Sequence, residues 1–186
     1  MQKHILYKIC CCIGHRKIEK TDGLEKEIYD YIENLIVNGS VNVFLFGSRS
    51  EFDFLCQNVV ADLKVKYPFI KRIGYTCKSE SVTLESEREK WEKIYSQLEK
   101  KEIRLPCVDE EYEHKTKYTA GKAAYVERNQ AMIENSDYCL FYYNEKYVVP
   151  QRKGRGLGYY RPKSGTALAY KYAKRKKKII KNFYKN

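Results

Sequence analysis

The chain has 186 residues, 43% of them hydrophobic, and a formal net charge of +12. That length suits one domain over 1–186, and such a chain buries roughly two thirds of its unfolded surface, which excludes disorder of the whole. The uncharged stretch Ile9 to Gly14 falls far short of the about 20 apolar residues of a membrane span and is too short for a secretory leader, so a cytoplasmic protein with no membrane partner is expected.

In chain order, Ile5 to Ile13 is an apolar run that reads as a buried strand, ending in a loop at Gly14-His15-Arg16. A helix follows from Asp22. Leu24, Ile28, Tyr31, Ile32 and Leu35 lie on one face of it, and Asn38-Gly39 stops it. Val41 to Phe46 is a second strand, broken at Gly47-Ser48. Phe52, Leu55, Cys56, Val59 and Leu63 repeat the helical spacing until Tyr67-Pro68, and Phe69 to Tyr75 is a third strand. Leu84 to Leu98 carries Trp91, Ile94, Tyr95 and Leu98 at helical spacing on a charged background. Ile103 to Val108 is a short strand, and the polar segment Asp109 to Thr119 reads as a loop. Gly121 to Asn135 is helical, and Tyr138 to Tyr143 is an aromatic-rich strand. A basic Gly/Tyr loop spans Asn144 to Lys163. Ser164-Gly165-Thr166 opens a last helix with Leu168, Tyr172 and Ala173 inward, and Lys178 to Phe183 closes the chain as a strand. Strands alternating with helices predict an α/β, Rossmann-like three-layer sandwich with a mostly parallel central sheet.

Seven cysteines include the consecutive Cys10, Cys11 and Cys12, and no Cys-x-x-Cys pair occurs. They read as reduced thiols used as small apolar residues, with no metal site and no cofactor expected. The charge is unevenly placed: Lys146 to Lys185 supplies 14 Lys or Arg, and no acidic residue follows Glu145. The excess suggests a polyanionic partner, either nucleic acid or the phosphates of a small ligand, or else a solvated basic face.

In doubly wound folds ligands bind at the carboxyl ends of the strands. Four segments fall there: Gly14-His15-Arg16, Gly47-Ser48-Arg49-Ser50, Glu127-Arg128-Asn129 and Ser164-Gly165-Thr166. Glycine admits a phosphate close to the main chain, helix starts offer free N–H groups, hydroxyls add hydrogen bonds, and arginine adds a bidentate fork. The combination suits a nucleotide phosphate. Ser164 also reads as a plain helix cap, His15 as a structural histidine, and Asp53 either as the cap of its helix or as a site carboxylate. In the basic loop, Arg152, Lys153, Arg155 and Arg161 alternate with glycines and with Tyr159 and Tyr160, a composition suited to a flap that stacks on a base and holds a phosphate, or to single-stranded nucleic acid. Neither a P-loop nor a Gly-x-Gly-x-x-Gly fingerprint is present, which counts against P-loop ATP hydrolysis and dinucleotide-dependent dehydrogenation.

The succession Cys-Cys-Ile-Gly-His-Arg (11–16), Phe-Leu-Phe-Gly-Ser-Arg-Ser-Glu-Phe-Asp (44–53), Glu-Arg-Asn-Gln-Ala-Met (127–132), Asn-Ser-Asp (135–137) and Pro-Lys-Ser-Gly-Thr-Ala-Leu-Ala-Tyr (162–170) resembles the YpsA-like branch of the SLOG superfamily. That superfamily groups the LOG phosphoribohydrolases, the Smf/DprA DNA-processing proteins and nucleotide-sensing domains. The resemblance runs from about Cys10 to Ile180 and implies a Rossmann-like fold whose pocket holds nucleotide-derived molecules, NAD-related signals included. LOG enzymes use an Arg in an Arg-Lys-x-x-Met motif and a Glu three residues past the Thr of Gly-Gly-x-Gly-Thr. Here Arg128 and Met132 match the first, with Asn129 in place of Lys, and Gly165 and Thr166 match the second, with Ala169 at the Glu position. An oxocarbenium-like state wants a carboxylate, which alanine lacks, and Glu51, Asp53 or Glu127 would have to supply it.

Binding is therefore expected ahead of hydrolysis. The expected role is a stand-alone sensor or ligand-sequestering protein, of use against host defence signalling. Its ligand would be an NAD-derived or cyclic nucleotide signal or a nucleoside phosphate, contacted by Gly14, His15, Arg16, Gly47, Ser48, Arg49, Asp53, Arg128, Asn129, Tyr160, Ser164, Gly165 and Thr166. The alternatives are a LOG-like phosphoribohydrolase, with Arg128, Glu127 and Asp53 as candidates for catalysis, and DprA-like nucleic-acid binding. The 18 tyrosines leave material for a homodimer or higher homo-oligomer.

Overall fold

A computed structural model of the chain describes residues 7–47, 50–77, 108–115, 117, 121–148 and 164–185. The elements in them are β1 (Lys8–Gly14), α1 (Leu24–Val37), β2 (Val41–Phe46), α2 (Glu51–Lys66), β3 (Lys71–Cys77), β4 (Glu110–His114), α3 (Gly121–Glu134), β5 (Tyr138–Tyr142), α4 (Gly165–Arg175) and β6 (Ile179–Asn182). The expected helix over Leu84–Leu98, all of the expected strand Ile103–Val108 but Val108, and loop residues 149–163 lie outside the described residues.

β1 shows why a continuous apolar run marks a parallel strand: it is covered on both faces. Its cysteines alternate between them. Cys10 and Cys12 enter a core built with Ile28, Ile32 and Leu35 of α1 and Phe52, Cys56, Val59 and Leu63 of α2. Cys11 enters the opposite core, with Met132 and Ile133 of α3, Phe141 of β5, and Ala169 and Ala173 of α4. All three thiols are fully buried, and burial pushes those of Cys10, Cys11 and Cys56 well up, so they pack as protonated apolar groups. Among the described residues no group of three or more His, Cys, Asp or Glu is arranged to hold a metal ion.

The six strands pair in parallel in the order β4-β3-β2-β1-β5-β6. α1 and α2 cover one face and α3 and α4 the other, the Rossmann-like sandwich anticipated from the alternation of elements. Strand order reverses between β1 and β5, where Gly14 pairs with Tyr142. No helix among the described residues is long and apolar enough to cross a membrane.

Three local expectations are corrected. The polar segment Asp109–Thr119 is not simply a loop, because Glu110–His114 is the edge strand β4. An edge strand needs a backbone ladder more than an apolar pattern, and its charges discourage further pairing. It is fastened by Asp109, whose backbone N–H donates to the Arg72 carbonyl at 2.8 Å while Arg72 N–H donates to Asp109 Oδ2 at 2.8 Å. β3 starts at Lys71 rather than Phe69, whose ring is exposed in the preceding turn. α4 buries Thr166, Ala169 and Ala173, whereas Leu168 and Tyr172 are only half-buried. Close packing of α4 against α3 favours its small residues on the inner face.

Candidate functional site

Two clusters form along the carboxyl edge of the sheet, one over β1 and β5 and one over β2. The first begins at Gly14. A Cβ there would lie 2.3 Å from that of Phe52, so the first turn of α2 packs directly on the strand end. That close fit accounts for the glycine, where the sequence suggested room for a phosphate. From the other face, Thr166 Oγ1 donates to the Gly14 carbonyl at 2.9 Å. Its hydroxyl proton is thereby used. Ser164 likewise caps α4, its Oγ accepting from Ala167 N–H at 3.0 Å, as the capping reading expects. What α4 still offers is the backbone N–H groups of Gly165 and Thr166, which have no intrahelical acceptor. No described atom approaches within 4 Å of a Cβ placed on Gly165.

His15 sits in the crevice between β1 and β5 and is 2% exposed. Its Nε2 lies 3.0 Å from the Asn144 backbone N–H, from which it accepts in one tautomer, and 3.2 Å from the Asn144 carbonyl, to which it donates in the other. Tyr147 stacks on the ring at 3.9 Å and 16°, with Tyr143 at 5.9 Å. Burial lowers its pKa, against the opposing Asn144 contact, so the ring is neutral at pH 7. Nδ1 is buried and has no hydrogen-bond partner among the described residues. His15 is thus only half satisfied as a structural histidine.

The loop after His15 is strapped down. Glu51 accepts from Lys17 Nζ and from the Ile18 N–H at 3.0 Å, while its own N–H donates to the Arg16 carbonyl at 3.0 Å. Lys17 holds the Glu51 carboxyl below its ordinary range. Tyr142 completes the strap: its hydroxyl accepts from Glu19 N–H at 3.2 Å and donates to the Glu19 carbonyl at 3.3 Å. Glu51 is therefore engaged in the strap, and Arg16 is exposed beside it.

The second cluster lies where β2 gives way to α2. Ser50 is the cap of α2, its Oγ accepting from Asp53 N–H at 2.9 Å, so Asp53 is not the cap. Its carboxylate is instead 5% exposed and directed to the strand end. A Cβ on Gly47 would lie 2.9 Å from Arg128 Nη2 and 3.5 Å from Asp53 Oδ2. Arg128 comes from α3 on the other face of the sheet and is itself 5% exposed. Its Nε and Nη2 donate to Asn129 Oδ1 at 3.3 and 3.0 Å, and its guanidinium lies over the Tyr125 ring at 5.5 Å. Asn129, standing at the Lys position of the LOG motif, thus orients the guanidinium. Glu127 is half-buried on the same helix.

The expected residues therefore divide. Gly14, His15, Ser164, Gly165 and Thr166 meet over β1 and β5, and Gly47, Asp53, Arg128 and Asn129 meet over β2, the neighbouring strand. Ser48, Arg49 and Tyr160 lie outside the described residues. Ala169 is 3% exposed within the apolar cluster of α3 and α4. Sequence reasoning did not single out Tyr147, Asn144, Tyr125 or Gln57. Gln57 follows Asp53 by one helical turn and is 6% exposed, its Oε1 having no partner among the described residues. The spacing of Asp53 and Gln57 at i and i+4, beside the apolar stripe of α2, was the available signal.

The sequence profile of the YspA SLOG family matches residues 10–177. No curated protein matches the chain. The match takes in β1 from Cys10 onward, β2 to β5 in full and the described residues of both clusters at the carboxyl edge, and the chain belongs to the YspA SLOG family.

Proposed function

We propose that the chain binds a nucleotide-derived small molecule at the carboxyl edge of its sheet and senses or sequesters it without cleaving it. Membership of the SLOG family already associates the fold with nucleotide-related chemistry. The observation that carries the finer reading is the buried Arg128 guanidinium held over Gly47 by Asn129, one strand from the open first turn of α4. A bidentate cation and free helix-start N–H groups along one edge suit a ligand bearing a phosphate or pyrophosphate. The half-satisfied His15 supports the same reading, with Nδ1 available for a hydrogen bond to a ligand once Tyr147 shifts. NAD-derived and cyclic nucleotide signals and nucleoside phosphates are the classes to try. The LOG carboxylate position is filled by Ala169 in an apolar cluster, which favours binding over hydrolysis.

The test incubates purified protein with AMP, NAD, ADP-ribose and cyclic ADP-ribose isomers, separates it by ultrafiltration, and analyses the wash and the denatured protein by mass spectrometry. Intact ligand released from the denatured protein is the expected result. Free base with ribose phosphate in the wash would overturn it in favour of a phosphoribohydrolase. One observation favours that second reading, the Asp53 carboxylate beside Arg128, and Asp53→Asn would then abolish base release.

A further inference from the structure

Among the described residues, a cluster of cations from 171 to 178 lies away from the edge just described. In a parallel α/β sheet each helix runs back against the strands, so α4 finishes where β5 and β6 begin. Lys178 Nζ marks the place: it donates to the carbonyls of Glu134 at 3.0 Å and Ser136 at 2.6 Å, just before β5. Lys178 thereby caps the end of α3, and Lys176 pairs with Glu134 at 3.2 Å. These two cations have structural work.

The others do not. Lys171, Lys174, Arg175 and Lys177 are exposed and make no ion pair among the described residues. Residues 171, 174 and 175 share one face of α4. Tyrosine rings support the row: Lys174 lies 4.7 Å from the Tyr170 centroid, and Arg175 4.9 Å from that of Tyr172, which also carries Lys176 at 5.4 Å. Cation–π contact places the charged heads without neutralising them. No acidic residue occurs anywhere after Glu145 to oppose them.

We propose that the outer face of α4, with the turn that follows it, is a docking surface for the phosphodiester backbone of a nucleic-acid duplex, independent of the small-molecule site at the opposite edge. A row of cations along a helix axis matches a linear polyanion, since phosphates recur every few ångströms along each strand. The tyrosine faces already carry cations, so base stacking is not what the surface offers, and recognition is by backbone charge without sequence readout. The aliphatic side chains bordering these cations are Leu168, which is half-buried, and Ile179, which is exposed, too few for the broad apolar face of a membrane-surface helix.

The experiment measures anisotropy of a labelled DNA duplex with the full chain across a salt series. Wild type binds two unrelated sequences alike, with log affinity falling against log salt at a slope of about −3, bounded by about −0.9 for each of four phosphates. Lys171→Gln, Lys174→Gln and Arg175→Gln together keep the helix and reduce the slope to about −1. A control removing three cations from the other side of the molecule, Lys17→Gln, Lys20→Gln and Lys26→Gln, keeps the wild-type slope. Equal loss in the control, a preference for one sequence, absence of binding at low salt, or tighter association with phosphatidylserine vesicles than with duplex each overturns the proposal. Retention of the small-molecule panel is measured on the triple variant of α4 and is expected to stay unchanged.

Discussion

Arg128 and Asp53 reach one point over Gly47 from helices on opposite faces of the sheet, 2.9 Å and 3.5 Å from where a Cβ of that residue would lie. A guanidinium and a carboxylate this buried interact in a medium far less polarisable than water, so each depends on the other for its solvation. Arg128→Ala and Asp53→Ala are each expected to destabilise the fold. The double variant should cost less than the sum of the two by at least about 1 kcal/mol. Urea unfolding of the four proteins measures the coupling, and strict additivity would show that the two groups do not communicate.

His15 yields a pH dependence whose direction follows from its burial. Its folded pKa is lowered from 6.5 by desolvation, so the unfolded chain takes up the proton first as pH falls. The stability it contributes is present above about 6.5 and is lost below it, down to the folded pKa. Unfolding followed from pH 8 to pH 5 should show this decline in wild type and a shallower one in His15→Gln. Identical profiles would mean that the ring is not held neutral.

A second pH limb belongs to the sheet edge. Burial raises the Asp109 carboxyl, but hydrogen bonds from Arg72 and Lys64 outweigh it and bring its pKa from 3.8 to about 2. Arg72 Nη2 lies 3.0 Å from Oδ1 and Lys64 Nζ 2.6 Å from Oδ2, so the carboxylate clips α2 and β3 to the start of β4. With the folded pKa depressed, its stabilisation is complete above the unfolded value and is lost as pH falls from about 4 to about 2. Asp109→Asn should cost about 2 kcal/mol at pH 7 and flatten that acid limb. Hydrogen exchange of the β4 amides would rise in the variant.

How far the site was legible depends on what each residue obeys. Leu24, Ile28, Ile32 and Leu35 face the core because they share one helix face, and the span of β2 follows from a mostly apolar run, broken only by Asn42, between Ser40 and Gly47. Arg128 stood out through its motif, and the cap at Ser164 through its position before a helix. β4 did not, because its order comes from Arg72, Asp109 and the β3 ladder, all supplied from elsewhere in the chain. Nor did local pattern show that Phe52 fills the space beside Gly14, that the Thr166 hydroxyl turns to a carbonyl, or that Tyr147 covers His15. Those are contacts between residues far apart in sequence. The charge skew was visible at once, but the place of the α4 cations, at the edge away from the pocket, required the direction of that helix.

Ala169 tests whether the LOG chemistry was lost at one position or by a change of surroundings. It is 3% exposed in an apolar cluster with Ala131, Met132, Ile133, Phe141 and Ala173, a setting that disfavours a carboxylate. Ala169→Glu should therefore cost at least about 2 kcal/mol rather than restore cleavage. A carboxyl buried there has its pKa raised, so the cost grows as pH rises from 5 to 8, when the unfolded chain alone ionises freely. Ala169→Gln occupies nearly the same volume without titrating and should show a cost independent of pH. Base release from AMP by the Glu variant at undiminished stability would mean that its side chain leans back along α4 to Arg128, and that the missing carboxylate alone separates this chain from a hydrolase.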